Sequence, residues 1–245
     1  MKVGKWGPLD NIILFVFPGI MLTFSALGFL GYNYGVSTAW YVGFTNIFCA
    51  VIITILPLLK RAGWFTSPYW LTILMSLNVM MYGISLFFGF YHYYWWWDKF
   101  AHILSSMLVT MLVFIGLGAI ECHTNRISLM PKAAFLLTTF LIGVAIGNAW
   151  EMFEGSVDFI VSSNHMQDID AFDTLMDTVM DAVGALIMTG VGAMILRKRG
   201  ICDVISEMGF EKGMVIMGKK WDRKCMSRDD PEYEDICEEI ERLKN

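Results

Sequence analysis

The stretch "WWWDKFAHILSSMLVTMLVFIGLGAI", residues 95–120, decides how this chain is read. Residues 103–120 form an apolar run, and a helix needs about 20 apolar residues to cross a bilayer. Three tryptophans lead into it, which suits the aromatic belt where a span meets the membrane surface. Asp98, Lys99 and His102 then stand at the mouth of the helix. A charge carried into the apolar layer costs roughly 2.5–3.5 kcal/mol on insertion scales, so such residues usually pair with something or serve a purpose.

Working outward, the same apolar pattern recurs. The chain has 245 residues and is 56% hydrophobic, with a mean hydropathy of +0.54. Soluble domains are less apolar and more charged. Six apolar segments are long enough to span: about 11–32, 38–59, 69–90, 98–120, 131–154 and 173–196. The expected fold is an all-α polytopic membrane helical bundle of about six transmembrane helices. Its division is a six-helix transmembrane domain, 1–199, and a cytoplasmic tail, 200–245. The first segment is too long for a signal peptide core and lacks a small-residue cleavage site, so it reads as a retained span. A net charge of −5 argues against a nucleic-acid partner.

Orientation follows the lysines and arginines. Lys2, Lys5, Lys60, Arg61, Arg126, Lys132, Arg197, Lys198 and Arg199 all fall on one side if six spans alternate. That side is expected to be cytoplasmic, with both termini inside and the plasma membrane as location. Cys122, Cys202, Cys225 and Cys237 fall on the same side, where thiols stay reduced, so no disulfide is expected. The tail ends in "PEYEDICEEIERLKN", residues 231–245. Its Tyr233, Ile236, Ile240 and Leu243 lie at helical spacing, which predicts a short amphipathic helix docked on this chain, a second copy or another subunit.

Spans four, five and six carry ionisable residues at one end each, and alternation brings all three ends to the same membrane face. Asp98 and His102 lie one helical turn apart, as do Glu151 and Glu154. Asp173, Asp177 and Asp181 step by four, in line with Gly184. So many carboxylates cannot all ionise together unless protons or cations intervene. Oxygen-rich donors with one imidazole suit Zn, Mn, Mg, Ca or Fe. Asp98, His102, Glu151, Glu154, Asp173, Asp177 and Asp181 are therefore the expected ligands of a divalent metal ion. Glu151 or Glu154 is the expected general base where it does not ligate. Caps at helix starts would explain Asp98 or Asp173 singly. They do not explain the deeper His102, Glu151, Asp177 and Asp181. His165, Asp168 and Asp170 read as solvated, His92 falls on the outer side without a place in the cluster, His123 falls on the cytoplasmic side far from it, and Ser105 and Ser106 lack the setting of a nucleophile. Met75, Met80 and Met81 read as packing.

"WDKFAH", "NAWEMFE" and "DTLMDTVMDAVGAL" together resemble the YjdF-like (DUF2238) family of small membrane proteins. Asp98, Lys99, His102, Glu151, Glu154, Asp173, Asp177 and Gly184 match its pattern in order and spacing, over roughly residues 90–196. Asp98, Lys99, His102, Asp177 and Gly184 also look like the wider VanZ-like group, in which Asn usually stands where this chain has Asp181. The resemblance implies a polytopic helical fold and brings no settled activity. The VanZ-like link to glycopeptide (teicoplanin) tolerance hints at envelope chemistry.

Three functions fit these residues. The favoured one is a metal-dependent hydrolase or transferase acting at the outer face on lipid-linked or envelope substrates that enter from the membrane lipid. The alternatives are a cation or proton transporter and a structural or accessory subunit. Against transport, no ionisable residue continues the path through the inner halves of the spans.

Overall fold

The computed structural model describes residues 7–34, 37–61, 69–123, 130–160 and 171–208, with 234–235 and 237–238. Among the described residues there is no strand. α1 (Pro8–Asn11) runs through a π-helical turn (Ile12–Val16) into α2 (Phe17–Phe29). α3 (Ala39–Arg61), α4 (Tyr69–Phe88) and the short α5 (Phe90–Tyr93) follow, then α6 (Trp95–His123), α7 (Lys132–Ile160), α8 (Ala171–Leu196) and α9 (Ile201–Met208). Among the described residues six helices are long and apolar enough to cross a membrane, as the sequence predicts. α6 begins three residues earlier than the expected span 98–120, at Trp95, and α7 continues to Ile160.

Local chemistry accounts for the irregularities. Pro18 has no N–H to offer the carbonyl of Leu14, and its ring crowds that carbonyl. The preceding turn widens to a π-helix. Gly31, φ +78°, terminates α2 just past its cap residue Leu30. Gly31 N–H donates to Gly28 O and Tyr32 N–H to Leu27 O, the paired bonds of a glycine-terminated helix.

Among the described residues the helices gather round two larger cores and a smaller one of Val42, Leu86 and Phe87. Ile13, Met21, Cys49, Ile53 and Met80 join the first span to α3 and α4. Leu108, Phe114, Phe135, Leu196 and Ile205 join α6, α7, α8 and α9, and Leu71 of α4 reaches into this second core. Met75 and Met80 are packing residues, as expected. Phe44, Phe48, Val51 and Ile55 form an exposed apolar stripe along α3, the face a bilayer would cover.

Small residues set how closely α6, α7 and α8 approach. On α7, Gly143 and Gly147 lie one turn apart. Gly143 admits the Thr110 side chain of α6, and Gly147 admits the Asp181 carboxylate of α8, whose Oδ2 would stand 2.5 Å from a Cβ there. On α8, Gly184 rests on the Ile103 carbonyl and Ser106, and Gly192 seats the Phe114 ring. Phe114 also packs edge-on against Phe135 of α7, with ring centroids 5.1 Å apart. The interface beneath the charged helix ends is thus tightly filled.

Two features at the opposite face depart from the sequence reading. Lys60 reads as a loop charge, yet it is buried. Its Nζ lies 2.8 Å from Asp10 Oδ1 and 3.8 Å from the centre of the Tyr69 ring. Asp10, 1% exposed, also accepts from Tyr69 Oη at 3.0 Å and from Gly7 N–H at 2.8 Å. The pair ties the first span to α3 and α4, and its partners satisfy the two charges where burial would otherwise penalise them.

The second departure is a correction: no disulfide is expected, and Cys122 is bonded to Cys202. Residues 200–208 begin the expected tail, but they turn back as α9 and bury Ile201, Val204 and Ile205 against α6 beside Gly118. This return brings the two Cα atoms to 5.4 Å, within bridging distance. Lys132 Nζ caps the end of α8 by donating to Leu196 O and Arg199 O, both at 2.7 Å. The amphipathic helix expected over residues 231–245 lies outside the described residues, except for Glu234, Asp235, Cys237 and Glu238, which are helical.

Candidate functional site

α6 and α8 start, and α7 ends, at the same end of the bundle, so all seven expected ligands come together there. Asp98 and His102 come from α6, Glu151 and Glu154 from α7, and Asp173, Asp177 and Asp181 from α8. Trp97 Nε1 donates to Ser85 Oγ at 2.9 Å and pins the start of α6 to α4. Asp98 and Asp173 sit inside the first turns of helices that begin at Trp95 and Ala171, so neither is a cap.

Burial divides the cluster. Glu151, Asp177 and Asp181 are 5%, 3% and 3% exposed, whereas the side chains of Asp98 and Asp173 are 29% and 28% exposed. The outer acids form the rim and the deeper ones the floor.

His102 sits at the centre. Its Nδ1 lies 3.2 Å from Asp181 Oδ1. Its Nε2 faces three carboxylate oxygens beyond hydrogen-bond distance: Glu151 Oε1 at 3.6 Å, Asp98 Oδ1 at 3.7 Å and Asp177 Oδ1 at 3.8 Å. Donors about 2.1 Å from a tetrahedral ion stand roughly 3.4 Å apart, close to this spacing. Among the described residues two sets of three place their donor atoms within 4.8 Å of one another: Asp98, His102 and Asp177, and His102, Glu151 and Glu154. His102 belongs to both. Asp173 and Asp181 belong to neither.

Lys99 is where the sequence reading fell short. Its Nζ lies 3.0 Å from Asp98 Oδ2, 2.5 Å from Asp173 Oδ1 and 2.6 Å from Asp177 Oδ1. It thus crosslinks α6 to the first two turns of α8. Its adjacency to Asp98 in "WDKFAH" signals a charge pair but not the two contacts on a helix some 75 residues away.

An aromatic wall stands on the side of α3 and α4. Tyr82 meets Trp150 of α7 with ring centroids 6.2 Å apart and Tyr91 at 5.9 Å, and its Oη lies 3.1 Å from Tyr41 Oη. Ser105 Oγ donates to Asn78 Oδ1 at 3.3 Å, consistent with a structural role. His92 is exposed. His165, Asp168 and Asp170 lie outside the described residues.

Six spanning helices with a carboxylate–histidine cluster where three of them end define a polytopic helical membrane protein with a polar centre at one face. The family model "Predicted membrane protein (DUF2238)" matches residues 13–198, and the chain belongs to that family. The match extends the resemblance seen in the three motifs back through the first three spans. No curated protein and no solved structure matches the chain.

Proposed function

We propose that this protein binds one divalent cation through His102 Nε2, Glu151 and Glu154, and uses it for hydrolysis or group transfer on lipid-linked substrates at the outer face of the plasma membrane. The carrying observation is the state of the imidazole. His102 is held at Nδ1 by the Asp181 carboxylate and turns Nε2 toward other carboxylates beyond hydrogen-bond distance. That is how a carboxylate orients a metal-bound histidine. The reading narrows the seven expected ligands to three and, with Glu151 and Glu154 both ligating, leaves neither as the general base. A cation there could bind a phosphoryl or carbonyl oxygen and lower the pKa of a bound water. Depth supports a membrane substrate, since the site lies at one end of the spans. The close packing of Gly184 on Ser106 and of Phe114 on Phe135 beneath the cluster supports a site closed from below over a transport path.

Metal analysis of protein purified without chelator tests the proposal. Wild type is expected to hold one ion per chain and Glu151→Gln none. Metal-free wild type would end the metal reading. It would favour an imidazolium held among carboxylates, a network that joins three helix ends.

The basic residues at the other face support an orientation with the two ends of the six-span domain inside. The Cys122–Cys202 bridge pulls the other way, because disulfides are rare in the cytosol. A cysteine placed at His165, in a background with the other free thiols replaced, decides between them. It is expected to react with an impermeant maleimide on intact cells. Reaction only after permeabilisation would invert the topology.

A further inference from the structure

The Lys99 ammonium is fully engaged. An ammonium has three N–H donors, and here three carboxylate oxygens from α6 and α8 lie within 3.0 Å of it. No donor remains for a substrate phosphate. Three convergent carboxylates around one positive centre make a cation seat, and Lys99 fills it.

This seat adjoins the one proposed for the metal. Asp98 turns Oδ2 to Lys99 and Oδ1 toward His102 Nε2, at 3.0 and 3.7 Å. Asp177 Oδ1 serves both, 2.6 Å from Lys99 Nζ and 3.8 Å from His102 Nε2. Carboxylates shared between two adjoining cation positions are the arrangement of two-metal sites, whose ions stand about 3.5–4 Å apart. His102 marks the boundary: Asp98 and Asp177 lie with it in one compact set, Glu151 and Glu154 in the other.

We propose that the cluster is a two-cation centre in which the Lys99 ammonium permanently occupies the second cation position, among Asp98, Asp173 and Asp177. The first position, on His102, Glu151 and Glu154, rests on the function proposed above. The tethered ammonium supplies one positive charge where a metal would supply two. It keeps the centre mononuclear and leaves the exposed rim without a second reactive ion.

The test is the number of Mn(II) ions bound per chain in wild type, Lys99→Arg and Lys99→Met, with electron paramagnetic resonance to detect coupling between neighbouring ions. Wild type and Lys99→Arg are expected to saturate at one isolated ion. Lys99→Met is expected to saturate at two, with a spin-coupled spectrum, and to gain thermal stability on Mn(II) addition. A Lys99→Met protein that stays at one ion overturns the inference and leaves the proposed function standing. Wild type that saturates at two ions overturns the inference without any variant, which covers a Lys99→Met protein that cannot be recovered. Wild type with no ion defeats the proposed function. The inference then survives if Lys99→Met binds one ion and falls if it binds none.

Discussion

His102→Ala is expected to abolish cation binding, whereas Asp181→Asn should weaken it by about 10–100-fold, the usual loss when a partner behind a ligating histidine is altered. The difference follows from which nitrogen each change affects. Alanine removes Nε2, the donor that faces Glu151 Oε1 at 3.6 Å. Asparagine keeps the size of Asp181 and an acceptor 3.2 Å behind Nδ1, but loses the negative charge that makes the imidazole a better donor. Titration with a competing metal indicator in detergent measures both. Equal losses in the two variants would place Asp181 among the ligands, and no loss in either would remove His102 from the site.

Gly184→Val is expected to disable the same site without touching a ligand. A Cβ at Gly184 would collide with the carbonyl oxygen of Ile103 and would stand 2.9 Å from Ser106 Cβ. A flexible side chain could yield, but the Ile103 carbonyl belongs to the α6 backbone next to His102. Relief requires α6 and α8 to move apart, and that motion carries Asp181 away from the ring it orients. Overpacking of this kind costs typically 1–3 kcal/mol. The expected result is a lower melting temperature together with cation binding weakened at least as much as in Asp181→Asn, by about 10–100-fold. Gly190→Val is the control, since a Cβ there meets nothing within 4 Å. Equal behaviour of the two valine variants would show that close approach at Gly184 does not hold the site together.

Much of the fold was legible because membrane helices announce themselves by length and hydropathy. The meeting of Asp98, Glu151 and Asp173 at one face followed from alternation alone, since antiparallel neighbours must bring alternate ends together. The family resemblance rested on the same residues, and the family match now covers residues 13–198. Helical spacing gave faces but not contacts. It put Asp173, Asp177 and Asp181 on one stripe without showing that Asp177 meets Lys99 while Asp181 meets His102 Nδ1. That sorting depends on the rotation and depth at which α8 seats against α6, which Gly184 and Ser106 determine through tertiary packing. The pairing of Asp10 with Lys60 escaped notice for a related reason. Each ends an apolar segment where a solvated charge is ordinary, and only the packing of the first span on α3 brings them together. The disulfide was misread because compartment was inferred from neighbouring basic residues, while the return of α9 onto Gly118 was invisible to a count of spans.

That bridge makes part of the chain a closed ring. Cys122 and Cys202 are 80 residues apart, and between them lie all of α7 and α8, the helices that carry Glu151, Glu154, Asp173, Asp177 and Asp181. Tying off a loop of this length removes freedom worth about 4.5 kcal/mol from the unfolded chain. Five of the seven acidic and imidazole groups therefore ride on a macrocycle. Asp98 and His102 sit on the strand of chain that leads into it. A peptide bond cut anywhere inside the ring leaves a single covalent molecule, with the two halves of the polar centre still fastened at the far face of the membrane.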